Sequence, residues 1–310
     1  MMERRVGHSG LRTSALGLGT MTWGRDTSAD DAAEMLRDFL DVGGTLLDTS
    51  SSYGGGDAES VIGEVLRDTG VRDDLVLCTK GGRDASRRAL LADLDRSLAR
   101  LGTDHVDLFL VACPDPATPL AETVGALRLA VTSGRARYVG LSNHPGWAGA
   151  HAATLLDDVG LTALEVEYSL LQRGVEREVQ PAATALGMGL LAWSPLGRGV
   201  LTGKYRRTVP ADSRAASPHL AGFVEPYLTA AAAAVVEAAV TAAQGLGRTP
   251  AEVALSWVLS RDAVASAIVG ARTPAQLRQS LGAAELTLPD EVLSALDDVS
   301  TVEVGYPERW

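Results

Sequence analysis

Residues 75–112 have the sequence LVLCTKGGRDASRRALLADLDRSLARLGTDHVDLFLVA, and this stretch decides the fold class. Two short apolar runs, Leu75–Lys80 and Val106–Ala112, have the length and composition of buried β-strands. Between them, Ser86 is typical of a helix N-cap, leucines recur at helical spacing, and Gly102 is a helix stop signal. A strand, a helix and a second strand in this order predict a parallel β–α–β unit.

The same alternation of strand and helix extends along the whole chain. The β-type runs are Ala15–Thr20, Thr45–Thr49, Leu75–Lys80, Val106–Ala112, Tyr138–Ser142, Ala163–Tyr168, Leu190–Ser194 and Ala265–Gly270. This order is compatible with an open doubly wound sheet or with a closed barrel. Eight units without a break in composition favour the barrel, so we predict an α/β fold with a single (β/α)8 TIM barrel domain over residues 1–310.

Three parts of the chain lie outside this repeat. Residues Glu3–Leu11 are predicted to form an N-terminal hairpin that caps one end of the barrel. The segment Pro195–Pro226 is long for a loop in a compact domain, which favours a functional role. The helical patterns Pro250–Arg261 and Pro289–Val299 are predicted to be extra C-terminal helices packed outside the barrel.

Composition and charge restrict the class of function. With 46% hydrophobic and 22% charged residues, the composition is that of an ordinary folded protein. The 28 basic and 39 acidic residues give a net charge of −11, which disfavours nucleic acid and anionic membranes as partners. The N-terminus lacks the apolar core of a signal peptide, and the Ala-rich stretch Ala230–Ala243 is interrupted by Glu237, so we expect a cytoplasmic protein. Cys78 and Cys113 lie in apolar runs and are expected to be reduced and buried, and no metal site is predicted.

The active site of a (β/α)8 barrel lies at the carboxyl ends of its strands. The residues at these ends are Asp48, Lys80, Ala112, Asn143, Glu165, Trp193 and Arg272. Tyr53 follows Asp48 in a glycine-rich loop, and we predict that Asp48, Tyr53 and Lys80 form a catalytic group. Lys80 is expected to lower the pKa of Tyr53, while Asp48 keeps Lys80 charged and oriented. Taken singly, each has a structural explanation (a turn residue, a loop aromatic and a strand-end charge), and only their joint placement favours catalysis.

A series of motifs along the chain resembles the aldo-keto reductase family. They are Leu16–Thr20, Leu47–Gly54, Ala58-Glu59 with Ile62-Gly63, Asp107–Leu110, Val139–Asn143, Glu167–Leu171, Ser194–Leu196, Leu201–Lys204 and Gly270–Pro274. The single motifs are short, but their shared order covers nearly the whole chain. The resemblance implies a (β/α)8 barrel that binds NADPH, less often NADH, without a Rossmann domain. It also implies hydride transfer from the nicotinamide to a substrate carbonyl, with Tyr53 as the proton donor.

The resemblance also implies which residues contact the cofactor. They are Gly19, Thr20, Asp48, Ser142, Asn143, Glu165, Trp193, Ser194, Leu196, Gly199, Lys204, Gly270, Arg272, Gln276 and Ser280. Ser142 and Asn143 would hold the nicotinamide carboxamide, and Trp193 would stack on the ring. The loop around Lys204 would fold over the cofactor. Arg272 would meet the adenosine phosphate, since a guanidinium matches a phosphate in a fork, although a surface charge at a helix start is the alternative.

Four positions depart from the family pattern. The histidine usual at the end of the fourth strand is replaced by Ala112, which can neither donate a hydrogen bond from its side chain nor relay a proton. None of the five histidines is an obvious substitute, and His144 is expected to be exposed in a loop rather than turned inward. Glu165 replaces the usual glutamine, and a carboxylate cannot donate to the cofactor amide unless it is protonated. Ser280 and Gln276 replace an asparagine and an arginine that are frequent near the adenosine.

Two functions from different classes remain open on the sequence. The residues predicted to line a substrate pocket, together with the Pro195–Pro226 loop, are Trp23, Arg25, Tyr53, Ala112 and Trp147, of which Trp147 could instead pack a helix. The leading hypothesis is an NADPH-dependent oxidoreductase that reduces a small-molecule aldehyde or ketone to an alcohol. The alternative is a regulatory or sensor protein that binds a nicotinamide cofactor with little turnover, because the histidine is absent at Ala112. A monomer and a small homo-oligomer are both compatible with the sequence.

Overall fold

The computed structural model describes residues 1–211, 213–217, 219–303 and 305–306. The predicted domain, residues 1–310, and the predicted loop Pro195–Pro226 therefore include residues outside this description, among them Asp212 and Pro218. The strands in the described part are β1 (Glu3–Arg5), β2 (Arg12–Ser14), β3 (Leu16–Gly19), β4 (Leu46–Asp48), β5 (Val76–Gly81), β6 (Val106–Val111), β7 (Ala136–Ser142), β8 (Ala163–Glu167), β9 (Gly189–Trp193) and β10 (Val264–Gly270).

The helices surround these strands. They are α1 (Ala29–Asp41), α2 (Asp57–Thr69), α3 (Arg87–Leu101), α4 (Leu120–Thr132), α5 (Gly146–Leu155), α6 (Val179–Leu186), α7 (Ala221–Val224), α8 (Ala230–Leu246), α9 (Pro250–Leu259), α10 (Pro274–Leu281) and α11 (Asp290–Val299). The side chain of Ser86 accepts a hydrogen bond from Ala89 N at the start of α3, and Gly102 ends that helix in the left-handed conformation, as predicted.

Strands β3 to β10 form a closed barrel in which β10 pairs with β3. All eight neighbouring pairs are parallel, and each predicted β-run coincides with one barrel strand to within two residues at either end. The prediction of a (β/α)8 barrel is therefore confirmed, and the open sheet is excluded because the sheet has no free edge.

Strand β6 shows why the barrel strands are apolar at consecutive positions. Leu108 and Leu110 pack inside the barrel with Cys78 and Leu46 from neighbouring strands. Phe109, one residue along, belongs to the separate core between the strands and the helices. Since successive side chains point to opposite faces and both faces are buried, the strand needs a continuous apolar run.

The N-terminal hairpin closes the end of the barrel where the strands begin. Strands β1 and β2 pair in antiparallel fashion, and Val6 and Leu11 between them pack into the core inside the barrel. Gly7 has φ +57, and a Cβ atom there would lie 2.2 Å from the backbone oxygen of Gly187. A capping hairpin is present as predicted, but its second strand, Arg12–Ser14, lies beyond the predicted segment Glu3–Leu11. The hairpin fits against residue 187 because a glycine at position 7 lets the two backbones approach closely.

The prediction for the outer helices needs a correction. Helix α9 was expected to be an extra helix added to the barrel, but it packs directly on β10 and so belongs to the layer of helices that surrounds the strands. Each of its residues from Glu252 to Leu259 is buried. Helices α8 and α11 are the additions: they contact each other, and α8 covers α9. A helix between the barrel and a further helix must be apolar nearly all round, which explains the sequence of α9.

The segment between β9 and α8 is not a continuous irregular loop. Its described residues contain short 3-10 turns at Gly197–Thr202 and Arg214–Ala216, followed by α7. Among the described helices, none alone has the length and apolar composition to cross a membrane, although the bent pair Ala221–Tyr227 and Ala230–Leu246 meets that test together.

Candidate active site

A cavity of ≈ 680 Å³ opens at the carboxyl ends of the barrel strands. Its wall includes the strand-end residues named above, which are Asp48, Lys80, Ala112, Asn143, Glu165, Trp193 and Arg272. These side chains come from seven different barrel strands or the residues just after them. They meet because the carboxyl ends of parallel strands all face the same end of a barrel.

A buried ion cluster lies in the wall of this cavity. Lys80 Nζ donates a hydrogen bond to Asp48 Oδ1 over 2.6 Å, and Glu165 Oε2 lies 3.1 Å from the same nitrogen. The three side chains are at most 5% exposed. The ammonium of Lys80 is therefore shared between the two carboxylates. Strands β5 and β8 are not neighbours in the sheet, so the Lys80–Glu165 contact crosses the barrel interior.

Burial and neighbouring charge set the protonation of the cluster. Burial lowers the pKa of Lys80, but Asp48 and Glu165 outweigh this effect and raise it well above its usual value. Burial and the charge of Asp48 raise the pKa of Glu165 to about 8, and Lys80 opposes that rise. Lys80 therefore stays protonated at neutral pH, whereas Glu165 can gain or lose a proton there.

Tyr53 lies beside Lys80 in the loop after β4. Lys80 Nζ is 5.6 Å from the centre of the Tyr53 ring, and Gly54 and Gly55 follow with positive φ. Burial raises the pKa of Tyr53 above its usual value, while Lys80 acts in the opposite direction. The predicted lowering by Lys80 is present, but the net shift is upward because the loss of hydration is the larger effect. The phenol is thus protonated at neutral pH.

Asn143 joins the ends of three strands in the cavity wall. Its Nδ2 donates to the backbone oxygen of Ala112 over 2.9 Å and to Ser142 Oγ over 3.1 Å. Its Oδ1 accepts from Trp193 Nε1 over 3.0 Å. Asn143 and Ser194 both have positive φ, a strained conformation for residues other than glycine. Such strain is frequent at functional sites, and the hydrogen bond to Asn143 fixes the indole of Trp193 at the cavity wall.

Basic side chains gather in another part of the same cavity. Lys204, Arg214 and Arg272 line it together. Burial lowers the pKa of Lys204, and the charges of Arg214 and Arg272 lower it further. A Cβ atom at Gly199 would lie 3.4 Å from Lys204 Nζ, and one at Gly270 would lie 3.4 Å from Arg214 Nη2. The absence of side chains at these two glycines leaves room beside both cationic groups, which suits an anionic ligand.

The structure brings most of the predicted site residues together. Those in the cavity wall are Gly19, Thr20, Asp48, Tyr53, Lys80, Ala112, Ser142, Asn143, Glu165, Trp193, Ser194, Leu196, Gly199, Lys204, Gly270, Arg272, Gln276 and Ser280. Within the wall, the backbone N–H of Arg272 donates to Gln276 Oε1 over 3.1 Å, so these two residues are linked at the start of α10.

Three residues of the predicted substrate pocket lie outside the cavity wall. Trp23 is fully buried in the core, where a short backbone bridge to Thr27 turns its loop inward. Arg25 pairs with Asp26 over 2.8 Å at the surface. Trp147 is 65% exposed in the first turn of α5, so it neither lines the cavity nor packs a helix.

His144 also departs from its prediction. It is buried rather than exposed, its Nδ1 lies 2.8 Å from the backbone oxygen of Ser142, and burial lowers the pKa of its ring. It does not line the cavity, and neither does any other histidine among the described residues.

Sequence reasoning missed several residues of the cavity wall, above all Arg198, Arg214 and Phe223. The guanidinium of Arg198 forms two hydrogen bonds to the Glu167 carboxylate (2.7 and 2.6 Å) and lies 4.1 Å from the Phe223 ring centre. The sequence signal that could have identified Arg198 as a cavity residue was its position between Gly197 and Gly199. Arg214 and Phe223 lie in the long segment after β9, whose path over the cavity no local pattern reveals.

Cys78 lies close to the two carboxylates of the ion cluster, whose cation is the ammonium of Lys80. One side-chain oxygen or sulfur atom from each of Asp48, Cys78 and Glu165 lies within 4.8 Å of the other two. The ammonium of Lys80 already supplies positive charge to both carboxylates. Cys78 is a buried free thiol, whereas Cys113 is also free but partly exposed, contrary to the expected burial of both.

Taken together, the structure defines a class of protein: a (β/α)8 barrel whose cavity at the carboxyl ends of the strands combines a phenol, a buried lysine–carboxylate cluster and basic side chains. The sequence model of the aldo/keto reductase family matches residues 15–301. The chain therefore belongs to the aldo/keto reductase family, and it is an NAD(P)H-dependent oxidoreductase.

Curated relatives cover nearly the whole chain. An uncharacterized oxidoreductase of Bacillus subtilis (strain 168), YrpG, is 36% identical over 95% of this chain and 94% of its own length. The L-glyceraldehyde 3-phosphate reductase of Escherichia coli (strain K12) is 35% identical over 96% of this chain and 92% of its own length. A probable voltage-gated potassium channel subunit beta of Arabidopsis thaliana is 33% identical over 100% of this chain and 98% of its own length.

Proposed function

We propose that the protein reduces an aldehyde or ketone to an alcohol with NADPH, and that Tyr53 donates the proton. The observation that carries this proposal is the protonated Tyr53 phenol beside the buried Lys80–Asp48 ion pair in the cavity wall. A phenol next to a fixed ammonium can give up its proton to a developing alkoxide, since the ammonium stabilises the phenolate that remains.

Each member of the catalytic group has a separate role in this mechanism. When bound, NADPH supplies the hydride that adds to the carbonyl carbon. Tyr53 donates its proton to the carbonyl oxygen, and the ammonium of Lys80 stabilises the negative charge of the Tyr53 phenolate that remains. Asp48 orients Lys80 through the 2.6 Å hydrogen bond and keeps it charged.

The donor set of the cavity fits NADPH. Lys204, Arg214 and Arg272 offer cationic donors for phosphate groups, and Gly199 and Gly270 leave room beside them. Trp193, fixed by Asn143, offers an aromatic face for a ring. Several cationic groups in one part of the cavity favour NADPH over NADH, because NADPH carries an additional phosphate.

The remaining wall supports a bulky, partly apolar carbonyl substrate. Ala112 presents a methyl group where the family pattern has a larger polar side chain, and Phe223 and Trp193 add aromatic surface. Arg198 also borders this region, but its guanidinium is already bound to Glu167. Without a histidine in the wall, Tyr53 is the strong proton donor that a carbonyl oxygen would meet.

The test is NADPH consumption against a panel of aldehydes, ketones and quinones, with wild type and Tyr53→Phe. We expect kcat to fall about 10²–10⁴-fold in Tyr53→Phe, because the proton donor is lost while the ring is kept. Tyr138→Phe, which removes a phenol outside the cavity wall, is the matched control and should retain wild-type turnover. If Tyr53→Phe turned over every reactive substrate as fast as wild type does, this mechanism would be excluded.

A second candidate function is a regulatory or sensor protein that binds the cofactor with little turnover. Ala112 favours it, because a side-chain donor is missing next to the reacting carbonyl. The relative named as a potassium channel subunit beta is compatible with a non-metabolic role in this family. Tight NADPH binding without reduction of any compound in the panel would favour this candidate.

A further inference from the structure

The ion cluster holds two carboxylates against one ammonium. Lys80 Nζ donates a hydrogen bond to Asp48 Oδ1 and lies 3.1 Å from Glu165 Oε2, so a single positive charge faces two buried carboxylates. Glu165 is 2% exposed and lines the same cavity as Trp193 and Asn143. A buried carboxylate with incomplete compensation is a group whose charge responds to what enters the cavity.

Four titratable side chains interact with Glu165. Asp48 approaches from β4, Cys78 and Lys80 from β5, and Tyr53 from the loop after β4. On its own strand, Glu167 is bound to Arg198 and directed away to that partner. Just after β7, His144 is held by the backbone oxygen of Ser142 outside the cavity wall, and burial lowers the pKa of its ring. Lys80 is thus the cation that acts on Glu165.

The proposed function determines which part of the cofactor Glu165 would meet. The phosphate groups require the cationic part of the cavity, with Lys204, Arg214 and Arg272. The nicotinamide must lie near Tyr53, because the hydride and the Tyr53 proton reach the same carbonyl group. Glu165 and Lys80 belong to this part of the wall, so the ring binds next to the ion cluster.

The nicotinamide ring is neutral in NADPH and carries a positive charge in NADP⁺. We propose that Glu165 makes the cofactor site sensitive to the redox state: NADP⁺ binds with Glu165 ionised, NADPH binds with Glu165 protonated, and NADP⁺ binding therefore releases a proton. This inference rests on the proposed nicotinamide function. A glutamine in this position carries no charge and could not distinguish the two rings electrostatically.

The experiment measures Kd for NADP⁺ and for NADPH by isothermal titration calorimetry at several pH values, with no carbonyl substrate present. In wild type, the ratio Kd(NADPH)/Kd(NADP⁺) should rise about tenfold between acidic and alkaline pH, as expected for a shift of about one pKa unit. The phosphate groups common to both forms cancel in this ratio. In Glu165→Gln, the ratio should be independent of pH.

Proton release provides a second measurement that needs no variant. Wild type titrated with NADP⁺ near pH 7 in two buffers of different ionisation enthalpy should show release of up to about half a proton per site, as a shift of about one pKa unit allows, whereas NADPH should show little. Glu178→Gln, which removes one exposed carboxylate outside the cavity wall, is the matched control and should retain the wild-type ratio.

Identical, pH-independent ratios in wild type and Glu165→Gln, together with no proton release, would overturn the inference. The proposed reductase function would then still stand or fall by the Tyr53→Phe assay. If neither cofactor form bound to wild type, the inference and the proposed function would both be overturned.

Discussion

At the residue scale, Ala112 offers the cavity a methyl group, while its backbone oxygen is bound by Asn143. The link between the ends of β6 and β7 therefore does not depend on the side chain at position 112. The side chain can be replaced without breaking that hydrogen bond, so the lost donor can be restored. A substitution at this position therefore changes the side chain that faces the substrate while the hydrogen bond between the two strand ends is kept.

We expect Ala112→His to increase kcat for carbonyl reduction about tenfold or more, because one donor aimed at a developing oxyanion is typically worth about 10²–10³-fold. Steady-state kinetics with the best substrate of the panel provides the measurement. Ala112→Leu adds volume without a donor and is the control. An equal or lower kcat in Ala112→His than in Ala112→Leu would show that the missing histidine does not limit the rate.

At the scale of elements, the segment between β9 and α8 supplies cavity-lining basic residues that the barrel strands do not provide. It brings Lys204 and Arg214 to the cavity, and Arg198 anchors its start through Glu167 and the backbone oxygen of Phe223. Arg206 in the same segment faces outward and pairs with Glu237 on α8. The segment thus has one cationic face toward the cavity and another toward the outer helix.

Arg214→Met should weaken NADPH binding about tenfold or more, since a hydrogen bond to a charged group contributes about 1.5–3 kcal/mol. Quenching of tryptophan fluorescence on titration with NADPH measures this Kd. Arg206→Met removes the same charge from the outward face of the segment and should leave Kd nearly unchanged. Equal effects of the two substitutions would mean that net charge, rather than contact with the cofactor, governs binding.

At the scale of the whole molecule, the buried ion cluster makes the free energy of unfolding depend on pH. Because the pKa of Glu165 is higher in the folded state than in the unfolded state, the folded state binds more protons between these two values. Stability from Glu165 is therefore greatest at acidic pH and declines as the pH rises through about 8. The raised pKa of Lys80 keeps that residue protonated across this window, so it adds no slope there.

Wild type should lose stability relative to Glu165→Gln as the pH rises from about 5 to about 8.5, because the carboxyl group of Glu165 ionises when the protein unfolds but stays largely protonated in the folded state. Urea unfolding at several pH values gives the two free energies of unfolding. Titration of the other groups affects both proteins alike and cancels in the difference. A difference that stays constant with pH would show that Glu165 is already ionised throughout this range.

Much of the fold and part of the site followed from local patterns. The strands were predictable because apolar runs and helix caps such as Ser86 and Gly102 act over a few residues. The sequence predicted that Asp48 and Lys80 lie at the same end of the barrel, because the carboxyl ends of parallel strands all face that end. The layer occupied by α9 did not follow, since an apolar helix sequence states that the helix is buried but not what covers it.

The sequence by itself determined the eight strand–helix units, the capping hairpin and the set of residues at the strand ends. Only the tertiary structure decided which of these residues touch. Lys80 and Glu165 come from strands that are not neighbours, so their contact exists because the barrel closes. The burial that raises the pKa of Tyr53 and Glu165 likewise has no local signal, because loss of hydration depends on everything packed around a group.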